Sequence, residues 1–221
     1  MGFAKATESF LPEIYPIRNA DPCPNPDCVP KVIADMETSF DIIHSEKAGV
    51  RNVLAICQYM EGWGGYKRFP TELEVRAMSW ASIACGAHGI TWYTYAPGDE
   101  KNHGAMYSPE TWKVMTTLAK EISSLHDVLA EPAIHLDEAV ITNGPQANTL
   151  YRNPVVAIAK KHDGKTWIFA VNSALAPLTA QLTVPACTKA AEYKTGKAAR
   201  FQNSVMTLDF TPYEVKILIA E

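Results

Sequence analysis

A threefold alternation of apolar runs and amphipathic helices constrains the fold of the first 130 residues more than any other feature of the sequence. The three apolar runs cover residues 10–17, 53–60 and 89–95. Each run precedes a loop and then a stretch with apolar residues at intervals of three and four, the period of a helix with one buried face. Alternating strands and helices form parallel sheets, and uninterrupted apolar strands are typical of sheets covered on both faces. We therefore predict three βα units.

Local signals indicate where the three helices begin. Pro30 precedes the first helical stretch. Thr71 and Glu74 have the spacing of a capping box, so the second helix is predicted to begin directly after Thr71. Ser108 and Pro109 are a typical N-cap and first helical residue, which indicates the start of the third helix.

The helical period disappears beyond Pro132. The apolar stretches 155–161 and 166–172 flank the sequence His162-Asp163-Gly164-Lys165, whose Asp-Gly step is typical of a hairpin turn. Short strands separated by turns, without helices, are typical of an antiparallel β-sandwich. The predicted fold class is therefore α/β plus all-β, with an α/β segment in residues 1–131 and a C-terminal β-sandwich in residues 132–221.

Composition and charge exclude several classes of partner. A net charge of −4 and an isoelectric point near 5.9 give no electrostatic attraction to nucleic acid or to an anionic membrane. No apolar run approaches the roughly 18 residues of a membrane span. The N-terminal residues lack a basic stretch followed by an apolar one, so no secretion signal is predicted. The localisation stays open: secreted or periplasmic if a signal was removed, and cytoplasmic otherwise.

The cysteines and glycines indicate neither a metal nor a cofactor. Cys57, Cys85 and Cys187 lie in apolar segments and are predicted to be buried thiols. Cys23 and Cys28 lie in a proline-rich loop, where a local disulfide or half of a metal site are both compatible with the spacing. A metal site needs two further ligands that no nearby Cys or His pair supplies. The glycine-rich loop at residues 62–65 has no dinucleotide or phosphate-loop spacing.

Two stretches resemble the end of a known barrel family. Residues 70–80 (PTELEVRAMSW) and 86–95 (GAHGITWYTY) resemble the last two strand regions of (β/α)8-barrel glycoside hydrolases. Glu13-Ile14-Tyr15-Pro16 looks like the sixth strand of such barrels, and the segment from the 162–165 turn to residues 211–217 is similar to the β-sandwich that follows many of them. The resemblance covers nearly the whole chain but only the last three-eighths of a barrel.

The resemblance implies a carbohydrate-active protein, either a glycoside hydrolase that cleaves O-glycosyl bonds or a fragment of one. Strands one to five of the barrel, including the fourth strand with its acid/base carboxylate, have no counterpart in this sequence. Where retaining members place their nucleophile, at the end of the seventh strand, the chain has Gln58. The alternative is therefore a non-catalytic carbohydrate-binding or degenerate barrel protein. A homo-oligomer that completes the barrel is a further expectation.

The candidate site residues lie at or just after predicted strand ends. Hydrolysis requires two carboxyl groups, and Glu13 and Glu61 are the candidates, with Asp99 and Glu100 further along the third loop. Glu13 is favoured because burial in an apolar strand stabilises the protonated form of a carboxyl group. Aromatic rings stack on the apolar faces of sugars, and amide or imidazole groups bond their hydroxyls. The predicted contacts to an oligosaccharide or polysaccharide are Tyr15, Gln58, Tyr59, Trp63, Trp92, Tyr95 and His103.

Overall fold

The computed structural model of the chain describes residues 8–17, 29–45, 52–63, 66–146 and 152–221. The interpretation of Cys23 and Cys28 lies outside the described residues. Cys57, Cys85 and Cys187 are free thiols, and Cys57 and Cys187 are buried while Cys85 is partly buried. Burial raises the pKa of the Cys57 thiol to about 11 and raises that of Cys85 further, so both thiols are protonated at neutral pH.

A small parallel sheet forms the first layer of the molecule. Its strands are β1 (Ser9–Phe10), β2 (Glu13–Ile14), β3 (Asn52–Gln58) and β4 (Gly89–Tyr93). Ser9 pairs with Asn52 and Glu13 pairs with Ile56, so β1 and β2 keep one register along one edge of β3. The predicted first strand is thus a single strand interrupted near Pro12, which has no amide proton to donate. The strand β4 pairs in parallel with the other edge of β3.

Four helices follow, and three of them begin after these strands as predicted. They are α1 (Lys31–Ser45), α2 (Glu72–Ala84), α3 (Pro109–Ser123) and the short α4 (His126–Ala130). The capping box is confirmed, since Thr71 Oγ1 accepts from the Glu74 amide and Glu74 accepts from the Thr71 amide. Ser108 caps α3 in the same way, with Thr111 as its partner.

The helices cover one face of the parallel sheet. Alternate side chains of β3, namely Val53, Ala55 and Cys57, are buried against them, and the Trp92 indole donates to Ser79 Oγ of α2. The other face carries Glu13, Tyr15, Ile56, Thr91 and Tyr93, which are exposed or half-buried. We call these five side chains the open face. The expectation that both faces are covered is wrong for the part of the chain that the structure describes.

Two antiparallel sheets make up the second half. The strands are β5 (Ala133–His135), β6 (Val140–Asn143), β7 (Val155–His162), β8 (Lys165–Asn172), β9 (Leu178–Thr183), β10 (Ala190–Glu192), β11 (Arg200–Gln202), β12 (Val205–Phe210) and β13 (Val215–Ala220). The five-stranded sheet has the order β10-β13-β8-β7-β5, and the four-stranded sheet has the order β11-β12-β9-β6. Side chains of both sheets, such as Ile168 and Met206, belong to one apolar core. The predicted hairpin is confirmed, with φ values of 48° at Asp163 and 74° at Gly164.

The two halves share a second, larger core. Helix α2 packs on β8, where the Trp80 ring stacks on Phe169 with centroids 5.5 Å apart. Lys160 of β7 donates to the carbonyl oxygens of Leu129 and Glu131 at the end of α4, at 2.8 Å and 2.5 Å. The predicted alternation of strands and helices followed by antiparallel sheets is therefore present, while closure into a barrel and the domain boundary at residue 132 stay predictions. None of the described helices is long and apolar enough to cross a membrane.

Candidate functional site

The loops that follow β3 and β4 are joined to each other at the carboxyl edge of the parallel sheet. The Glu61 amide donates to the His103 carbonyl, and the His103 amide donates to the Glu61 carbonyl, each at 3.0 Å. Nearer the strands, the Tyr59 amide donates to the Tyr93 carbonyl at 2.7 Å. The edge where sites of parallel sheets lie is thus built from two loops that hold each other in place.

Glycine permits this close approach of the loops. Gly62 has a φ of +94°, and a Cβ atom there would lie 1.9 Å from the Lys101 carbonyl oxygen. At Gly104 a Cβ atom would lie 2.2 Å from the Ala96 carbonyl oxygen. A larger residue at either position forces the backbone of the neighbouring segment to move.

A carboxylate and an imidazole meet between the two loops. The Oε1 atom of Glu61 lies 2.7 Å from Nδ1 of His103, and both side chains are partly exposed. The His103 ring also stacks on Tyr107, with centroids 3.7 Å apart and planes inclined by 23°. Glu61 and His103, which the sequence analysis proposed separately, are therefore brought into one hydrogen-bonding contact.

Four aromatic side chains contact one another at the same edge of the sheet, and we call them the aromatic cluster: Tyr15, Trp63, Tyr66 and Tyr93. The Tyr15 ring lies 5.8 Å from Tyr93 and 6.1 Å from Tyr66, measured between centroids. Trp63 meets Tyr93 edge to face at 6.3 Å. Tyr93 is exposed, Tyr15 and Trp63 are half-buried and Tyr66 is buried, so the first three can present ring faces and tyrosine hydroxyl groups to a ligand.

The charge of Glu13 acts on the aromatic cluster. Burial, and secondarily the negative charge of Glu13, raise the pKa of Tyr15 to about 12. The Tyr15 hydroxyl therefore stays protonated and can donate a hydrogen bond at any physiological pH. The Glu13 side chain itself is exposed, so the burial expected for it from its apolar strand is wrong: it points to the open face, whereas its neighbour Ile14 faces the helices.

Comparison with known proteins identifies the fold to which this site belongs. No family model and no curated protein sequence matches the chain. Solved structures do match. An Anoxybacillus α-amylase superposes with a TM-score of 0.54 at 8% identity, over 87% of this chain and 44% of its own. The α-amylase of Geobacillus thermoleovorans, solved with acarbose, gives 0.53 at 9% identity, over 82% and 42%.

A third match comes from another glycoside hydrolase family. The GH27 β-L-arabinopyranosidase of Geobacillus stearothermophilus, solved with arabinose, has a TM-score of 0.52 at 11% identity, over 99% of this chain and 46% of its own. The chain has part of a glycoside hydrolase fold. It spans less than half the length of each of these three structures. At such low identity the matches show the fold alone.

Two of the predicted contact residues use their polar groups for hydrogen bonds inside the fold. Gln58 is fully buried, and its amide both accepts from the Ile17 amide at 2.8 Å and donates to the Ile17 carbonyl at 2.9 Å. Tyr59 is buried and donates to the Thr111 carbonyl at 3.0 Å, and burial raises its pKa to about 12. Trp92 is half-buried against α2. These three side chains lie outside the aromatic cluster.

Tyr95 is exposed and meets a residue that the sequence analysis assigned only to a helix. Its ring lies 5.9 Å from that of Trp112 in the first turn of α3, at an angle of 77°. Tyr107, the ring that stacks on His103, was also missed. A usable signal exists for both, since each lies within four residues of the Ser108 cap, where a helix begins at the carboxyl edge of the sheet.

Proposed function

We propose that the chain is the carboxyl-terminal part of a barrel glycoside hydrolase and that it binds an oligosaccharide at the aromatic cluster. In this proposal residues 1–131 supply the last three βα units of the barrel and residues 132–221 supply its trailing β-sandwich. The observation that carries the proposal is the aromatic cluster itself, which lies on the open face beside partly exposed carboxylates. The partial glycoside hydrolase fold supports it.

The ring geometry suits a sugar better than another small molecule. Sugar rings present C–H groups on their flat faces and hydroxyl groups around their edges. Tyr15 and Tyr93 provide neighbouring rings at 5.8 Å, and the protonated Tyr15 hydroxyl can donate to a sugar oxygen. Glu13 is close enough for its charge to act on Tyr15, so its carboxyl group lies near the tyrosine hydroxyl that would bond the sugar.

Hydrolysis, in this proposal, uses Glu13 and Glu61 as the carboxyl groups. One carboxylic acid protonates the leaving glycosidic oxygen, and a carboxylate either attacks the anomeric carbon or activates a water molecule. The Oε1 atom of Glu61 lies 2.7 Å from Nδ1 of the His103 imidazole, which holds this carboxyl group in place, and we assign it the carboxylate role. The role of proton donor is assigned to Glu13.

One observation favours the second candidate, binding without hydrolysis. Gln58 occupies the end of β3, and both polar atoms of its amide are bonded to Ile17. The end of this strand therefore offers neither a carboxylate nor an amide that is free to reach a substrate. The two functions share the aromatic cluster and differ only in whether a bound glycosidic bond is cleaved.

Calorimetry and a reducing-sugar assay on the same samples separate the candidates. A panel of neutral α- and β-linked oligosaccharides is titrated into the wild-type chain and into Trp63→Ala and Glu13→Gln. Binding that Trp63→Ala abolishes supports the proposed site, and turnover lost in Glu13→Gln supports hydrolysis. Glu72→Gln, an exposed carboxylate on α2, is the control. Absence of binding by every sugar of the panel contradicts the proposal.

The open face carries the proposal about assembly. Half-buried Ile56 and exposed Thr91 belong to the open face but not to the aromatic cluster. We propose that a second copy of this chain or the remaining βα units cover this part of the open face and leave the aromatic cluster accessible. Size-exclusion chromatography with light scattering tests the self-association: a monomer at all concentrations contradicts the homo-oligomer.

A further inference from the structure

A concentration of exposed aromatic side chains follows β4. Among the described residues twelve large apolar side chains are exposed, and five of them lie between positions 93 and 112. Three of the five are aromatic side chains outside the aromatic cluster: Tyr95, predicted from the sequence as a sugar contact, is 64% exposed, Tyr107 53% and Trp112 43%. We call these three the aromatic rim. Exposed apolar side chains gathered in one place mark binding surfaces more often than scattered ones do.

The rim is held rigidly. The Ala105 amide donates to the Thr94 carbonyl at 2.7 Å, and the Met106 amide donates to the Tyr95 carbonyl at 3.3 Å. Thr111 anchors the start of α3, because its hydroxyl donates to the Ala105 carbonyl at 2.9 Å. A backbone that is already held in place loses little conformational entropy when a ligand stacks on the rings it carries, which favours binding.

The rim and the aromatic cluster are linked along the chain and through the contact between Glu61 and His103. Tyr95 is two residues from Tyr93, and Tyr107 stacks on His103, which pairs with Glu61 in the loop of Trp63. One ligand that lies along this edge of the sheet can therefore contact both groups of rings.

Charge narrows the chemistry of the ligand. The segment from residue 93 to residue 113 contains three acidic residues (Asp99, Glu100 and Glu110) and two basic ones (Lys101 and Lys113). This balance gives no attraction for a polyanion such as nucleic acid or a sulfated glycan. Rings that carry hydroxyl groups, in a setting of weak net charge, suit a neutral sugar.

We propose that Tyr95, Tyr107 and Trp112 form additional sugar-contacting positions beside the aromatic cluster, and that the ligand is a linear, neutral oligosaccharide long enough to reach both. This inference rests on the proposed function, which by itself requires only a sugar at the aromatic cluster. With the rim, the protein binds longer oligosaccharides more tightly than shorter ones. A protein segment covering the same rings is the competing occupant.

The test is a length series measured by calorimetry. Neutral oligosaccharides from the disaccharide to the hexasaccharide, in α-1,4 and β-1,4 linkage, are titrated into the wild-type chain, Trp112→Ala, Tyr95→Ala and Trp63→Ala. We expect the wild-type Kd to fall about tenfold from the shortest to the longest sugar, the factor that ~1.4 kcal/mol provides. In Trp112→Ala and Tyr95→Ala the gain with length disappears, while the affinity for the disaccharide is unchanged.

A control variant and a measurement of the Tm show whether a loss of binding comes from unfolding. Tyr193→Ala removes a ring of similar exposure, 42%, that packs on Trp167 in the antiparallel half, and we expect it to leave every titration unchanged. Trp112 and Tyr95 are both largely outside the core, so their variants should keep the wild-type Tm. If Trp112→Ala is nevertheless unstable, the length series is judged from Tyr95→Ala alone.

The outcomes separate this inference from the proposed function. Binding that Trp63→Ala abolishes, with no dependence on length and no effect of Trp112→Ala, overturns the rim and leaves the proposed function standing. Length-dependent binding that Trp112→Ala reduces but Trp63→Ala does not shows sugar at the rim alone, and it overturns both the aromatic cluster and the inference that one ligand reaches both groups of rings. If Trp112→Ala alters the oligomeric state and not the titrations, the rim is a protein contact and the inference is overturned. No binding by any sugar overturns both.

Discussion

The buried carboxylate of Glu74 holds the loop before α2 to the start of that helix. Glu74 is only 5% exposed. It accepts from the Thr71 amide at 2.7 Å and from both terminal nitrogens of Arg68, at 2.7 Å and 2.8 Å. The change Glu74→Gln keeps the shape of the side chain, but it removes the charge and turns an NH2 group toward donors.

The expected loss follows from these contacts. A hydrogen bond to a charged group contributes about 1.5–3 kcal/mol and a capping interaction about 1 kcal/mol, while part of the pairing survives in glutamine. We therefore expect Glu74→Gln to lower the free energy of unfolding by about 2–3 kcal/mol, which lowers the Tm by about 5–10 °C in a chain of this size. Urea and thermal denaturation followed by circular dichroism measure both. Glu72→Gln, exposed in the same turn, should lose less than about 0.5 kcal/mol. Equal losses in the two variants would refute the reasoning.

The pH dependence gives a second check of the same pair. Burial raises the pKa of Glu74, but the bonds from Arg68 and the Thr71 amide outweigh burial and hold it below its ordinary value of 4.5. A carboxyl group with a lowered pKa in the folded state stabilises the protein above the unfolded-state pKa, and this stability is lost as the pH falls through the folded-state pKa. The difference between wild type and Glu74→Gln should therefore shrink below pH 4.5. A difference that stays constant to about pH 3 would show that the charge is not its source.

Three further changes probe the core and the loops. Phe169→Ala, which removes the ring stacked on α2, should lower the free energy of unfolding by about 3–5 kcal/mol in urea titration. Gly62→Ala should lower the free energy of unfolding by more than the φ strain of about 1 kcal/mol, because its Cβ atom would overlap the backbone of Lys101. The same change should weaken sugar binding in calorimetry. Gly164→Ala is the control, since its Cβ atom meets nothing within 4 Å and only the φ strain should remain. Lys160→Met leaves the last carbonyl groups of α4 without their donor and should cost about 1–3 kcal/mol, with faster amide exchange confined to α4.

Local signals explain which parts of the fold are readable from the sequence. The capping box at Thr71 and the Asp163-Gly164 hairpin appear in the structure because each depends on residues within four positions of one another. The long strands β7 and β8 are also readable, since each is an apolar stretch that flanks the hairpin turn. The short strands β5, β6, β10 and β11 were not predicted, because three or four residues carry too little of a period and their pairing is set by neighbouring strands.

The site was only partly readable, since side-chain direction depends on tertiary contacts. Glu13 and Ile14 are adjacent in one apolar run, yet one faces solvent and the other the helices. Gln58 looked like a ligand-binding amide, but its partner is the backbone of Ile17, 41 residues away in sequence. The contact between Glu61 and His103 required two loops to meet, and no spacing within either loop records it.

Helix α2 explains why the two halves form one packed body although the sequence divides them. Ten of its thirteen residues are buried, which is typical of a helix surrounded by other elements and not of a surface helix with one apolar stripe. Ser79 accepts from Trp92 of the parallel sheet, whereas the next residue, Trp80, stacks on Phe169 of the antiparallel sheet. The antiparallel half therefore packs on α2, which covers one face of the parallel sheet, while the aromatic cluster lies at the other face. Substitutions at its contact with α2 should change stability first, and sugar affinity only through that loss.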